Sequence, residues 1–188
     1  MSTKLSTFLE LQPSRYTITE GSMVAEQAQT VQEFIIQNKI QRVMEIGFNG
    51  GISSAVILSA SPDVELVSFD IGDHDYVNEA KRLIDDLFPS RHTLILGDST
   101  VTVPMYQATP FDLVIVDGGH VAPIPEKDLR NVHRLVRSNG WIMMDDYCEA
   151  HGRYGVIDAY DTVIREGLYK TVATYQAHDR GWVFAKKL

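Results

Sequence analysis

Three aspartates and a histidine, set in two short runs, are the residues of this chain best suited to reaction chemistry. Asp117 ends the apolar run Phe111-Asp112-Leu113-Val114-Ile115-Val116 and opens Asp117-Gly118-Gly119-His120. Asp145 and Asp146 end the run Trp141-Ile142-Met143-Met144. If the two runs are neighbouring strands, three carboxylates meet at one edge and repel strongly, with no fixed positive side chain in either motif to offset them. A divalent cation would do so. An all-oxygen ligand set favours Mg²⁺, Mn²⁺ or Ca²⁺ over zinc, which takes His and Cys. The alternative is that Asp117 only touches a cofactor while Asp145 and Asp146 cap the loop after them. His120 brings an imidazole with an ordinary pKa near neutrality, and a nearby metal would favour its neutral form. It is therefore the candidate general base, or else a residue that only orients its loop or a metal-bound water.

A second group lies earlier, in Val43-Met44-Glu45-Ile46-Gly47-Phe48-Asn49-Gly50-Gly51-Ile52. An apolar strand ends on a carboxylate, passes through a glycine-rich turn and becomes a helix, as in sheets that hold nucleotide-like ligands at their carboxyl edge. The spacing is neither Gly-x-Gly-x-x-Gly nor a turn ending in Gly-Lys-Ser/Thr. A turn without a phosphate-gripping lysine suits a ligand with an adenosine and no phosphates. Gly47, Phe48, Asn49, Gly51 and Ser53 are its cofactor-facing candidates. Glu45 either faces the ligand loop or is a buried acid held by backbone amides. Asp70 ends the second strand about twenty residues on, where a carboxylate accepts both ribose hydroxyls; the plainer role is a turn aspartate. Gly97-Asp98-Ser99 follows the third strand, where adenine would lie, and Asp98 is otherwise a cap for the next helix.

The elements that must position these residues alternate along the chain. Ser22 is placed to cap a helix over 22–40 with Val24, Ala28, Val31 and Ile35 on one face. Strands are expected at Arg42–Ile46, Val64–Asp70, His92–Leu96, Phe111–Asp117 and Trp141–Met144. Between them lie helices over about Ile52–Ala60, one capped by Asp75, and one opened by Pro125 and ending near Asn139-Gly140. A last helix spans about Val156–Glu166. Leu168–Gln176 and Trp182–Lys186 then form a hairpin, with Ala177–Gly181 as the turn. The pattern predicts an α/β, three-layer, doubly wound, seven-stranded and mostly parallel sheet, with an antiparallel C-terminal hairpin and one antiparallel edge strand. It forms a single domain over 1–188, with 1–21 as an N-terminal segment.

Taken together these motifs resemble the class I S-adenosylmethionine (SAM)-dependent O-methyltransferases, and within them the metal-dependent branch of catechol-type and macrolide or aminocoumarin sugar enzymes. The resemblance runs from about Ser22 onward and implies their Rossmann-like methyltransferase fold. It implies SAM on the glycine turn, Asp70, Gly97, Asp98, Ser99 and Asp117, and a divalent cation on Asp117, Asp145 and Asp146. In such enzymes the metal binds two adjacent substrate oxygens and lowers the pKa of the one to be methylated. Catechol-type members carry Asp and then Asp-Asn; the second aspartate here is more like the sugar-modifying members. They also place a lysine base three residues after the first metal aspartate, where this chain has His120. The sugar enzymes often have an aspartate two residues after it, where this chain has Gly119. Asp146 and the missing lysine favour a sugar, glycan end or other vicinal diol over a catechol. A metal-independent methyltransferase using His120 alone, and a SAM-binding interaction module without turnover, are the rival readings.

Other polar residues are weaker candidates. Tyr147, His151 and Arg153 could reach a substrate, His74 could edge the pocket, and Met23 could touch the sulfonium end of the cofactor. His92 and His133 read as structural, and Cys148 has no base motif beside it. The formal charge of −8 leaves no basic stripe for nucleic acid. No stretch is long and apolar enough to span a membrane or serve as a signal peptide. A single cysteine fits a reducing compartment, so the expected location is cytoplasmic. The oligomeric state stays open, a homodimer included.

Overall fold

The computed structural model describes residues 3–11, 23–149 and 155–188. Helices and strands run in the order α1 (Thr3–Leu11), α2 (Ala25–Gln37), β1 (Arg42–Ile46), α3 (Ile52–Ala60), β2 (Glu65–Asp70), α4 (Val77–Leu87) and β3 (His92–Leu96). They continue as α5 (Ser99–Met105), β4 (Phe111–Val116), α6 (Ile124–His133), β5 (Val136–Met144), α7 (Val156–Arg165), β6 (Tyr169–Ala177) and β7 (Arg180–Lys187). The strands form one seven-stranded sheet in the order β3-β2-β1-β4-β5-β7-β6.

Each central strand is apolar on both faces because each face is covered by helices. Val43, Leu66, Leu113, Ile115, Met143 and Phe184 pack with α1–α4. Met44, Ile46, Phe69, Val114, Val116, Ile142 and Met144 pack with α5–α7. Neighbours in sequence thus go to opposite sides, as the two-residue period of a strand requires. The three-layer, doubly wound fold expected from the alternation is present.

Some expectations need correction or addition. The antiparallel strand is not at the edge: β7 lies between β5 and β6, antiparallel to both. A hairpin whose second strand carries Trp182, Val183, Phe184 and Ala185, all buried, gains most by turning that strand inward. The hairpin turn is also tighter than expected, because β6 and β7 pair through Ala177–Arg180 and leave only His178 and Asp179 between them. The helix opened near Pro125 ends at His133, and Asn139-Gly140 belongs to β5. Asn139 has φ +58, a conformation that suits a helix end or a sheet irregularity equally well. Here it accompanies a register shift between the Phe111–Val136 and Leu113–Trp141 pairs. Asp75 does not cap α4, whose N-cap is Tyr76 with no side-chain bond. Val24 is the N-cap of α2, and Ser22, proposed for that role, lies outside the described residues. Finally, the stretch before α2 contains helix α1, which buries Leu5 and Phe8 in the core.

What matters for function is the level at which the strands stop. Phe69, Ile46, Val116 and Met144 are paired side by side across β2, β1, β4 and β5. The ladder then runs one residue further. Gly47 N–H donates to Phe69 O (2.8 Å), Asp117 N–H to Ile46 O (2.9 Å) and Asp145 N–H to Val116 O (3.0 Å). Asp70, Gly47, Asp117 and Asp145 therefore form one row along the carboxyl edge.

Candidate active site

A cleft of about 470 Å³ opens above that row. Gly47, Phe48, Asn49 and Ser53 line one wall, Asp70, Gly97, Asp98 and Ser99 a second, and Asp117 and His120 the far end. Met23 and His74 also reach it. The His74 ring stacks on Tyr76, with centroids 4.9 Å apart. Gly51 and Glu45 are not on this surface. Gly51 is buried with φ +77 and begins α3, facing the Phe48 ring and Ile84. Its contribution is the shape of the turn.

Gly47 explains why the turn needs glycine. Its φ is +99, and a Cβ there would overlap the carbonyl oxygen of Asp117. The β1 turn and the start of the acidic loop are thus pressed backbone to backbone. Asp70 fixes the same turn from the other side. Its Oδ2 accepts from the N–H of Phe48 (2.9 Å) and Asn49 (2.8 Å), and its Oδ1 from the N–H of Gly72 (2.8 Å). Asn49, at φ +46, accepts at Oδ1 from the Tyr76 hydroxyl, 2.5 Å away.

Glu45 lies below the turn with no solvent exposure. It was expected to face the ligand loop, with backbone amides as partners in the alternative reading. Instead it accepts from the hydroxyls of Ser53, Ser54 (2.6 Å) and Ser68 (2.6 Å). Burial raises its pKa, and the three hydroxyls oppose that rise. Ser68 is also 2.9 Å from His92 Nε2. Burial pushes the His92 pKa down to about 4, so the ring is neutral, in keeping with a structural role. Asp98 takes the capping role, accepting from Thr100 N–H at 2.8 Å while still lining the cleft.

At the far end the acids converge with two cations. Ligand atoms of Asp117, His120 and Asp146 all lie within 4.8 Å of one another. His120 Nε2 is 3.0 Å from Asp146 Oδ2 and 3.9 Å from Asp117 Oδ1. Arg180 Nη1 is 3.2 Å from Asp146 Oδ1. The Asp146 side chain is only 4% exposed, and its backbone sits at φ +53, a strained conformation for a non-glycine residue. Asp145 stands apart from the converging trio. Its Oδ1 accepts from Gln27 Nε2 (2.6 Å) and from Asp146 N–H (2.8 Å).

The electrostatics follow from this crowding. Burial and then repulsion from Asp145 raise the Asp117 pKa. Burial and then Asp146 raise that of Asp145 to about 6. The carboxylates of Asp117 and Asp146 facing the ring push His120 up to about 10. The sequence argued for a neutral imidazole beside a metal; with the two carboxylates alone against it, the ring favours its charged form. The expected all-oxygen trio also gains a nitrogen. The two carboxylates by themselves suit a hard divalent ion such as Mg²⁺ or Mn²⁺, whereas the imidazole as a further ligand would turn the preference toward zinc.

Gln27 and Arg180 were missed. Gln27 had a readable signal, as a polar residue four positions before Val31 on the buried face of α2. Arg180 had none, since it stands 34 residues from Asp146 inside an apparent turn. Tyr147 turns away from the cleft and donates to Asp161 Oδ1 at 2.9 Å. Cys148 is buried, with Sγ 3.1 Å from Asp179 O. His133 packs edge-on against Tyr169 and is structural. His151 and Arg153 lie outside the described residues.

A methyltransferase-domain family profile matches residues 44–147, more than half of the chain and every strand end described above except those of β6 and β7. The chain belongs to the methyltransferase-domain family. No curated protein matches it. Solved structures with the same fold include an O-methyltransferase from Bacillus cereus in complex with SAH, 15% identical, covering 100% of this chain and 92% of that one at a TM-score of 0.82. The O-methyltransferase TomG from Streptomyces achromogenes, involved in tomaymycin synthesis and solved with SAM, is 18% identical over 100% and 90% of the two chains, with a TM-score of 0.81. A SAH-bound methyltransferase from Podospora anserina is 15% identical over 100% and 89%, with a TM-score of 0.82. The class I methyltransferase fold inferred from the glycine turn and the strand-end acids is thus the fold of this family member. Among the described residues, no helix is long and apolar enough to cross a membrane.

Proposed function

We propose that this family member is a SAM- and divalent-metal-dependent O-methyltransferase acting on neighbouring hydroxyls of a small molecule or sugar. One observation carries the reading: a single cleft has the glycine turn and Asp70 at one end and the Asp117–His120–Asp146 cluster at the other. Solved neighbours with the same fold and bound SAM or SAH support it.

In this reading Asp70 accepts the ribose hydroxyls through the lone pairs left by its three N–H partners. Gly97, Asp98 and Ser99 would frame the adenine, and the Gly47 turn, which lies against Asp117, would hold the rest of the cofactor. Asp117 and Asp146, with Asp145 beside them, would hold a Mg²⁺ or Mn²⁺ ion, with Ca²⁺ as the larger alternative. That ion would supply Lewis acidity, lowering the pKa of a bound hydroxyl. SAM would supply an electrophilic methyl group for the acceptor oxygen, and His120 Nε2 would take the hydroxyl proton. His120 accepts that proton only when its ring is neutral, which requires Asp117 and Asp146 to have another positive partner. Holding acceptor and cofactor in one cleft supplies much of the rate through proximity.

The identity of the base favours a sugar-type vicinal diol over a catechol, since His120 stands where catechol-type enzymes have lysine. A cytoplasmic setting, favoured by the single Cys148, belongs to the same proposal. A second reading drops the metal, and the positive charges of His120 and Arg180 beside Asp146 favour it. A methyl-transfer assay over a panel of diol and catechol acceptors separates the two. The expected result is loss of turnover with EDTA and its return with Mg²⁺ or Mn²⁺. Turnover that survives exhaustive chelation would leave His120 as the sole activator, and SAM binding without turnover on any acceptor would point to a binding module.

A further inference from the structure

The residue in the acidic cluster that the proposed chemistry leaves unused is Arg180. It opens β7, on the opposite side of the cluster from the 118–120 loop, and reaches Asp146 Oδ1 while His120 holds Oδ2. Both oxygens of a nearly buried carboxylate are therefore engaged by cationic groups. The charge of Arg180 also acts on Asp145.

Its placement is built into the fold. Tyr147 N–H donates to Gly181 O (2.8 Å), and Cys148 Sγ donates to Asp179 O (3.1 Å). A Cβ on Gly181 would overlap the Tyr147 carbonyl oxygen. The turn of the β6–β7 hairpin is thus pinned, on both sides of position 180, to the segment that follows Asp146. Backbone contacts of this kind leave the arginine no freedom to retreat as a whole. Its side chain does have freedom, being 21% exposed, so the guanidinium can swing into water without stranding a buried charge.

A purely structural ion pair would pair Arg180 with an acid that has no other task. Asp146 is instead a member of the trio whose atoms converge for an ion. A fixed positive charge on that acid competes for its lone pairs and repels any arriving cation. It also compensates the carboxylates while no ion is present. We infer that Arg180 sets the divalent-cation affinity of this site, acting as a resident counter-charge that the ion must displace from Asp146. The inference rests on the metal reading proposed above and goes beyond it, by assigning a tuning role to a residue outside the ligand set.

The test is Mn²⁺ binding by calorimetry to the full chain without substrate, for the unmodified protein, Arg180→Gln and Arg180→Lys. Arg180→Gln is expected to bind Mn²⁺ about tenfold more tightly or better, because competitor and repulsion go together. Arg180→Lys keeps the charge and should stay near the unmodified value. Without ion, Arg180→Gln should melt at a lower temperature, and Mn²⁺ should raise its midpoint by more than it raises that of the unmodified chain. Unchanged or weaker binding by Arg180→Gln, with the unmodified chain binding normally, overturns the inference and leaves the metal reading intact. Binding by Arg180→Gln alone upholds the inference and overturns metal dependence of the unmodified chain. Binding by neither removes both. A measurement free of substitutions is the Arg180 guanidinium NMR signal of the unmodified chain. It should shift on titration with Mg²⁺, and an invariant signal in the presence of binding overturns the displacement.

Discussion

The two ends of the cleft hold their acids in opposite ways. At the glycine-turn end, Asp70 is satisfied by three backbone N–H groups, and Glu45 beneath the turn by three serine hydroxyls. At the other end, Asp146 is engaged by His120 and Arg180, and Asp117 faces His120. Neutral donors belonging to the fold cannot be exchanged for a ligand without breaking the turn. Cationic side chains at a cleft rim can be exchanged, because another cation does the same electrostatic work. The first end is a rigid cradle; the second is a site poised for exchange. That contrast explains why glycines mark one end while repelling carboxylates mark the other.

The sharpest way to break this contrast is at Asp146. Asp146→Ala should abolish Mn²⁺ binding and lower turnover on the order of a thousandfold, leaving SAM affinity within about twofold. A parallel loss of SAM binding would mean that the two ends are one structural unit. The converse comes next in size. Asp70→Ala should raise the KM for SAM about ten- to a hundredfold, the scale of lost charge-assisted hydrogen bonds, while Mn²⁺ binding measured without cofactor stays unchanged. A shift in Mn²⁺ affinity there would erase the distinction.

The smallest effect concerns the one buried acid that follows neither rule. Asp128, on α6, has no solvent exposure and no hydrogen-bond partner among the described residues, although the Ser99 side chain offsets part of the cost. Burial lifts its pKa to about 6. A raised carboxylate pKa means that the folded state prefers the protonated form. Stability is therefore lost as pH rises from about 4 to about 6, and the cost is fully present above that window. Asp128→Asn should raise the melting temperature by a few degrees at pH 7.5, the equivalent of about 1 kcal/mol, and by nothing at pH 4. Thermal melts at the two pH values read this directly; equal gains at both would mean that the acid is not charged in the folded protein.

Much of this molecule was legible from local pattern. The elements β1, β3 and α3 have the predicted bounds, and β2, β4 and α7 differ by one residue at one end. Caps were read less well. Asn139-Gly140 looks the same in a helix end and in an irregular strand, because one positive φ serves both. Asp75 has the right type to cap a helix, yet the chain enters α4 at Tyr76, whose ring and hydroxyl are held by His74 and Asn49.

By itself the sequence determined the sheet, its carboxyl edge, and the fact that Asp70, Gly47, Asp117 and Asp145 end strands there. Periodicity and turn chemistry are local, so one chain read in order is enough to reveal them. Only the tertiary structure decided that Asp145 turns to Gln27, that His120 faces two carboxylates, and that Arg180 reaches Asp146 from the inserted strand β7. Those outcomes depend on which segments a folded sheet brings within a few ångströms, and on how burial reweights charge once they meet. The acids could be counted along the chain, but their counter-charges could be found only in space.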